Sequence, residues 1–312
     1  MSEAAAALAA WGLGDAPHRL VSHRENRVYA VDLPSGGRAA LRLHRAGYHD
    51  RAALLSELWF MNACADAGLP VPRSIAAADG RLLVAAAGND CDLLTWLPGA
   101  PIAQAGEPLG PDAPARYHAL GLALAALHGV ADGWTPPAGF VRPAWDAAGL
   151  VGAAPLWGRF WDNPALTAGE RACLIAARDR AQAWLAAHER AFDYGLIHAD
   201  ALRENVLIRN GAAALIDFDD CGWGFRLFDL ATALHPLEGD PGFDGLRAAL
   251  LEGYRSLRPL TDADEAALPA FLMLRGLTYV GWIATRMDVP GAAARQRRAI
   301  DTACARAAAW AG

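Results

Sequence analysis

The chain changes rhythm along its length. Residues 28–33 (Val-Tyr-Ala-Val-Asp-Leu) and 39–43 (Ala-Ala-Leu-Arg-Leu) are short apolar runs on either side of Pro34-Ser35-Gly36-Gly37, a pattern that predicts a β-hairpin. Side chains alternate along a strand, so Arg42 should point away from Leu41 and Leu43. From about 50 to 67 the apolar period lengthens to that of a helix, with Leu54, Leu58 and Met61 in step and Glu57 beside them. Gly68-Leu69-Pro70 ends it. Residues 73–77 and 81–87 predict a second strand pair around Asp79-Gly80, and 92–97 a last strand stopped by Pro98-Gly99.

Beyond residue 110 the pattern turns helical. Residues 114–129 place Leu120, Leu124 and Leu127 on one face, and 168–190 read as another helix. Residues 131–165 are rich in Trp, Pro and Gly and carry no firm assignment. Three short apolar runs follow at 196–197, 206–208 and 214–216, with Asn210-Gly211 between the last two. They predict small strands that hold loops. After 228 the chain reads as helix almost to its end. The expected organisation is two lobes, residues 1–97 and 98–312, since 312 residues exceed a typical single core.

Composition narrows the function. Hydrophobic residues make up 54% and charged residues 20%, enough apolar material for a large core. A net charge of −6 and the lack of a basic tract argue against a nucleic-acid partner. All 28 basic residues are arginine. The cysteines at 64, 91, 173, 221 and 304 are odd in number and scattered, which speaks against a disulfide framework or zinc site and for a reducing cytoplasm. The apolar N-terminus has no positive region before it and reads as a helix start rather than a signal peptide. No apolar run reaches the ~18 residues a membrane span needs.

The chemistry concentrates in 196–231. His198, Asp200 and Asn205 form H-x-D-x-x-x-x-N, and Asp217 opens Asp-Phe-Asp-Asp after an apolar run. Phosphoryl transfer needs an acceptor for a hydroxyl proton and hard oxygen ligands for Mg²⁺. One loop can supply both, and a second strand end can bring another carboxylate. This segment resembles the aminoglycoside phosphotransferase, homoserine kinase and choline kinase superfamily, whose fold is the two-lobed α+β fold of the protein kinases. That fold has a small antiparallel sheet lobe with one helix, and a larger, mostly helical lobe. Within the superfamily the segment looks closest to homoserine-kinase-like enzymes and the stress-response kinase. The resemblance implies ATP and Mg²⁺, a catalytic base at Asp200, a scaffolding His198, metal ligands at Asn205 and Asp217, and a buried brace at Asp229.

The first lobe carries the rest of the likeness. Residues 22–31, including Arg24, Glu25 and Asn26, sit where the family has its phosphate-covering loop, here without glycine. Arg42 takes the place of the usual strand lysine, Glu57 that of its ion-pair partner, and Leu120 to His128 that of the first large-lobe helix. Backbone at Thr95, Trp96 and Leu97 should meet the adenine edge. Asp219, Asp220 and Trp223 are candidates for a small hydroxyl-bearing acceptor with a cationic group, with Arg286 or Arg226 for a carboxylate on the same molecule. Three readings compete with a small-molecule kinase: a Ser/Thr protein kinase, a non-catalytic nucleotide-binding module, and a metal hydrolase with His198, Asp200, Asp217 and Asp219 as ligands. The first lacks an A-P-E segment and a long activation loop. The second has no need of a base. The third leaves Asn205 unexplained. Nothing in the sequence speaks to oligomeric state.

Overall fold

The computed structural model describes residues 2–23, 26–287 and 291–310, so Arg24 and Glu25 lie outside the described residues. Helix α1 (Glu3–Leu8) leads into strands β1 (His18–His23), β2 (Arg27–Asp32) and β3 (Arg38–Leu43). Then come α2 (Arg51–Asp66), β4 (Val84–Ala86) and β5 (Asn89–Thr95). The strands form one antiparallel sheet in the order β1-β2-β3-β5-β4. Alternation sorts β3 as its sequence demands. Leu41 and Leu43 enter a small core with Ala4, Ala7 and Leu8 of α1, while Arg42 faces the other way, toward α2. Asp50 caps α2 by accepting from the Ala53 amide at 2.8 Å.

One expectation needs correction here, and one strand was not predicted. The strand pair lies at 84–86 and 89–95, turning at Ala87-Gly88 rather than at Asp79-Gly80. Residues 73–77 touch β5 through a single bridge, Ser74 to Leu94, and Asp79-Gly80 makes only a local turn. Strand β1 gives no apolar signal because it is an edge strand with Arg19, Leu20 and Val21 exposed.

The second part of the chain runs through β6 (Ala100–Pro101), α3 (Ala113–Gly133), β7 (Ala144–Trp145), α4 (Ala147–Val151) and α5 (Ala168–His188). Next are β8 (Tyr194–Ile197), β9 (Val206–Arg209), β10 (Ala212–Leu215) and β11 (Gly222–Phe225). Helices α6 (Arg226–Leu234), α7 (Phe243–Arg255), α8 (Asp262–Ala284) and α9 (Ala292–Ala309) follow. The short strands form two small sheets, β10-β9-β6 and β7-β11-β8. Helices α3 and α7 pack backbone to backbone. A Cβ on Gly121 would lie 2.1 Å from the Leu250 carbonyl oxygen, and one on Gly253 would lie 2.0 Å from that of His118. This close approach sets Tyr254 of α7 beside His128 of α3, which matters below.

The main core joins the helices of this part to α2, whose Leu54, Leu58, Phe60 and Met61 belong to the same cluster as Phe218. Residues 131–165, unassigned from sequence, supply Trp145, Phe160 and Trp161 to it. Helix α8 is long and apolar enough to cross a membrane, but 78% of its most apolar stretch is buried inside the fold.

Candidate active site

The site begins where β8 ends. Ala199 holds a left-handed φ of 64°, which an L-residue adopts only when its surroundings compel it. Asp229, at the start of α6, supplies the restraint. Its Oδ2 accepts from the His198 amide at 2.8 Å and its Oδ1 from the Ala199 amide at 2.6 Å. His128 Nε2 donates to the same carboxylate at 3.0 Å, and His128 Nδ1 meets the Tyr254 hydroxyl at 2.8 Å. Burial pushes the Asp229 carboxyl upward, but the hydrogen bonds and charges around it hold it below the ordinary value.

His198 is fixed in one neutral tautomer. Nε2 donates to the Ile216 carbonyl at 3.1 Å, and Nδ1 accepts from the Asp200 amide at 3.3 Å. Burial lowers its pKa. With both ring nitrogens engaged by the backbone it cannot ligate a metal, which removes the four-ligand hydrolase reading. Among the described residues, no three His, Cys, Asp or Glu side chains gather as a metal cage.

Asp200 is held through both oxygens. Asn205 Nδ2 donates to Oδ2 at 2.8 Å and to the Asp200 carbonyl at 3.0 Å, while Arg275 Nη2 donates to Oδ1 at 3.0 Å. With its amide nitrogen engaged, Asn205 keeps Oδ1 for another partner. The β9–β10 hairpin explains the spacing from Asn205 to Asp217. Asn210 and Gly211 turn it with φ of 51° and 79°, Val206 pairs with Leu215, and the Ile216 amide reaches the Asn205 carbonyl at 3.0 Å. Asp217 therefore returns to the level of Asn205, with a left-handed φ of 67°.

Asp217 opens onto the cleft. Its side chain is exposed to the cleft, yet the protein crowded around it, and then the charges of Asp219 and Asp200, push its carboxyl up to about 7. Asp219 and Asp220 are raised too, by burial first and then by neighbouring carboxylates. Such crowding of like charge favours a cation. Mg²⁺ uses one or two protein oxygens and takes the rest from phosphates and water, so the Asp217 carboxyl and Asn205 Oδ1 fit it. The acidic loop is held by Arg142, a residue that the sequence did not single out. Its guanidinium donates to the carbonyls of Cys221, Phe218 and Asp219, and at 3.0 Å to that of Ala53 in α2.

Across the cleft, Arg42 Nη1 meets Glu57 at 2.6 Å, and Nε and Nη2 grip Asp92 at 2.9 and 2.8 Å. Asp92 also accepts from His44 Nε2 at 2.6 Å. Although burial opposes its charge, Arg42 and His44 hold Asp92 down at about 2. Asp92 escaped the sequence reading. Its signal was a carboxylate set between Cys91 and Leu93 in a strand, directly opposite Arg42 in the ladder. Asn26 reaches across to Asp219, Nδ2 to Oδ1 at 3.4 Å. The Thr95 hydroxyl accepts from the Arg73 amide, turning it from the cleft, and Trp96 and Leu97 follow at the sheet's end, half-buried.

Two acceptor candidates do not join this group. The Trp223 ring lies edge-on to Phe140 at 6.2 Å, and alternation along β11 sets it on the face opposite Gly224, which packs on Trp145. Arg226 is buried against the Leu196 carbonyl and pairs with Asp132 at 2.8 Å. The groups that do meet Asp220 are Trp157 Nε1 and the Tyr48 hydroxyl, each donating to Oδ1 at 3.3 Å. Arg286 lies over Trp282 at 4.3 Å and 5.9 Å from the Tyr48 ring. Apart from Arg286 on Trp282, these contacts join segments far apart in the chain, so no local motif announces them.

Comparison with known proteins gives this geometry its setting. The model of the phosphotransferase enzyme family matches residues 18–266. A homoserine kinase of Gluconacetobacter diazotrophicus is 34% identical over 254 residues, 74% of this chain and 74% of that protein. The solved structure of a microcompartment-associated aminopropanol kinase superposes with a TM-score of 0.84 at 32% identity, covering 98% of this chain and 95% of that one. An amicoumacin kinase solved with AMP-PNP and Ca²⁺ shares the fold, with a TM-score of 0.75 at 20% identity over 93% and 88% of the two chains. The chain belongs to the phosphotransferase enzyme family. Within it the protein is a small-molecule kinase, a phosphotransferase with an alcohol group as acceptor, on the two-lobed protein-kinase-like fold.

Proposed function

We propose that the protein transfers the γ-phosphoryl group of ATP, with Mg²⁺, to the hydroxyl of a small amino alcohol or hydroxy amino acid. The observation that carries this reading is the convergence of Asp200, Asp217, Asp219 and Asp220 on one cleft, the last three raised by burial first and then by neighbouring carboxylates. Asp200 accepts the proton of the acceptor hydroxyl. Asn205 and Asp217 would hold Mg²⁺, which would offset the charge that develops on the transferring phosphoryl group. Arg42 has five N–H groups and spends three on Glu57 and Asp92, leaving two for phosphate oxygens. The adenine edge lies along the backbone of Thr95, Trp96 and Leu97, where the lobes 1–97 and 98–312 meet, and Asn26 covers the phosphates from the β1–β2 side. Asp229 and His198 brace the loop.

For the acceptor, Asp220 is the better placed of the two further carboxylates, because Asp219 is 5% exposed and turned toward Asn26. A carboxylate beside Trp157 suits an ammonium group. The names of the relatives, homoserine kinase and aminopropanol kinase, point the same way. Arg286 can take a carboxylate on the same molecule. Matched acceptors test the reading: homoserine against 4-hydroxybutyrate, and 1-amino-2-propanol against 1,2-propanediol. Loss of the ammonium should lower kcat/KM at least about tenfold, equivalent to about 1.4 kcal/mol. Equal kcat/KM within each pair would remove the reason for preferring an amino alcohol.

A further inference from the structure

Helix α8 buries fourteen residues between Ala267 and Ile283, and Arg275 is the one charged side chain among them. It is 1% exposed. Burying a guanidinium costs several kcal/mol unless its charge and its N–H groups are satisfied. Arg275 is satisfied only in part. Its one ion pair among the described residues is the single contact from Nη2 to Asp200 Oδ1 at 3.0 Å. Trp157 covers its face at 4.5 Å and Phe228 lies at 5.9 Å, while Nε and Nη1 have no hydrogen-bond partner among the described residues. A guanidinium buried for stability alone would be expected to bind its carboxylate through two parallel N–H groups. The side-on grip of Arg42 on Asp92 in the same protein is of that kind.

We infer that Arg275 is a positioning residue for phosphoryl transfer, fixing the carboxylate of Asp200 from the acceptor side of the cleft. Asn205 holds Oδ2, so Arg275 supplies the second point that sets the plane of the carboxylate. The aromatic stack on Trp157 restrains the guanidinium, and Trp157 also donates to Asp220. The base, the acidic acceptor wall and α8 are thereby joined through Arg275 and Trp157. A carboxylate held at one oxygen can rotate. Misplacement of a reacting group by about 1 Å can cost about 10²-fold in rate. The inference rests on Asp200 being the base, and the experiment separates the two.

The test compares wild type, Arg275→Met, Arg275→Lys, Asp200→Asn and the double variant Asp200→Asn/Arg275→Met, by steady-state kinetics on enzyme verified as folded by circular dichroism. Arg275→Met should lower kcat by about ten- to a hundredfold, with KM for ATP and acceptor within about threefold of wild type. Arg275→Lys keeps the charge on a slimmer chain and should recover part of that loss. The double variant should be no slower than Asp200→Asn within about threefold, because a group that acts through Asp200 has nothing to position once the base is gone. Arg275→Met with kcat within threefold of wild type would overturn the inference. So would a double variant whose loss is the product of the two single losses. If Arg275→Met does not fold, Arg275→Lys decides: a lowered kcat at unchanged KM supports positioning, and an unchanged kcat refutes it. Wild-type activity in Asp200→Asn would instead sink the assignment of the base.

Discussion

Asp229→Asn changes a single oxygen to an amide nitrogen, yet its effect should be large. The native carboxylate accepts three hydrogen bonds, from the amides of His198 and Ala199 and from His128 Nε2, in a fully buried position. Asparagine keeps one acceptor oxygen and turns an NH₂ group toward a donor, so at least one buried N–H loses its partner. Breaking a buried, charge-assisted set by changing one member costs about 3–5 kcal/mol. For a protein of 312 residues that lowers Tm by about 5–8 °C. The same amides hold Ala199 at its φ of 64°, one residue before Asp200. Relaxation there moves the base, so kcat should fall by about 10²-fold even below the new Tm. Urea unfolding followed by tryptophan fluorescence gives the first quantity, and steady-state kinetics at 20 °C the second. A loss of stability below about 1 kcal/mol, no more than one ordinary hydrogen bond, would show that Asp229 does not brace the loop.

Asp217→Ala should abolish Mg²⁺-dependent turnover, and undiminished wild-type turnover in excess EDTA would refute the metal assignment. Arg42→Lys should fold, keep its charge and use ATP less well, since an ammonium cannot hold Asp92 side-on and still offer a fork to phosphate; an unchanged KM for ATP would refute the role given to that fork. Asp217 has a folded pKa raised to about 7 from 3.8, so without divalent metal the folded state binds the extra proton between those values. Stability should therefore fall as pH rises from about 4 to about 7, and saturating Mg²⁺, which favours the carboxylate, should flatten that slope. Thermal melts across this range with Mg²⁺ and with EDTA measure it; identical slopes would exclude a metal at Asp217.

The parts of the molecule legible in sequence are those whose signal is local. The β2–β3 hairpin, α2 and the segment from His198 to Asp229 each combine apolar periodicity with a turn or polar motif inside some thirty residues. Strand β1 is missing from that reading because an edge strand facing water has no apolar face to display. The turn at Ala87-Gly88 loses to Asp79-Gly80 on local propensity, and only the pairing of Cys91 with Val84 and with Leu43 decides between them. In the site, Arg42 and Glu57 could be paired from strand alternation and helix phase, whereas Asp92 required the register of β3 against β5. Arg142, Tyr48, Trp157 and Arg275 were out of reach, since each matters through a contact to residues more than sixty positions away. Trp223 misled because nearness to Asp220 in sequence is not nearness in a strand, where the next residue points to the other side.

Arginine at position 42 has a consequence for how this enzyme can be controlled. A phosphate-contacting lysine carries a charge that acetylation removes, and a buried ammonium can lose its proton. A guanidinium keeps its charge at any pH where the protein is folded, and acetyl transfer to lysine has no target in a chain whose 28 basic residues are all arginine. Neither route can silence the phosphate contact proposed for Arg42. Reagents that acylate amines in nucleotide sites would leave Arg42 untouched, whereas a dicarbonyl such as phenylglyoxal would reach it only after Glu57 and Asp92 release their grip.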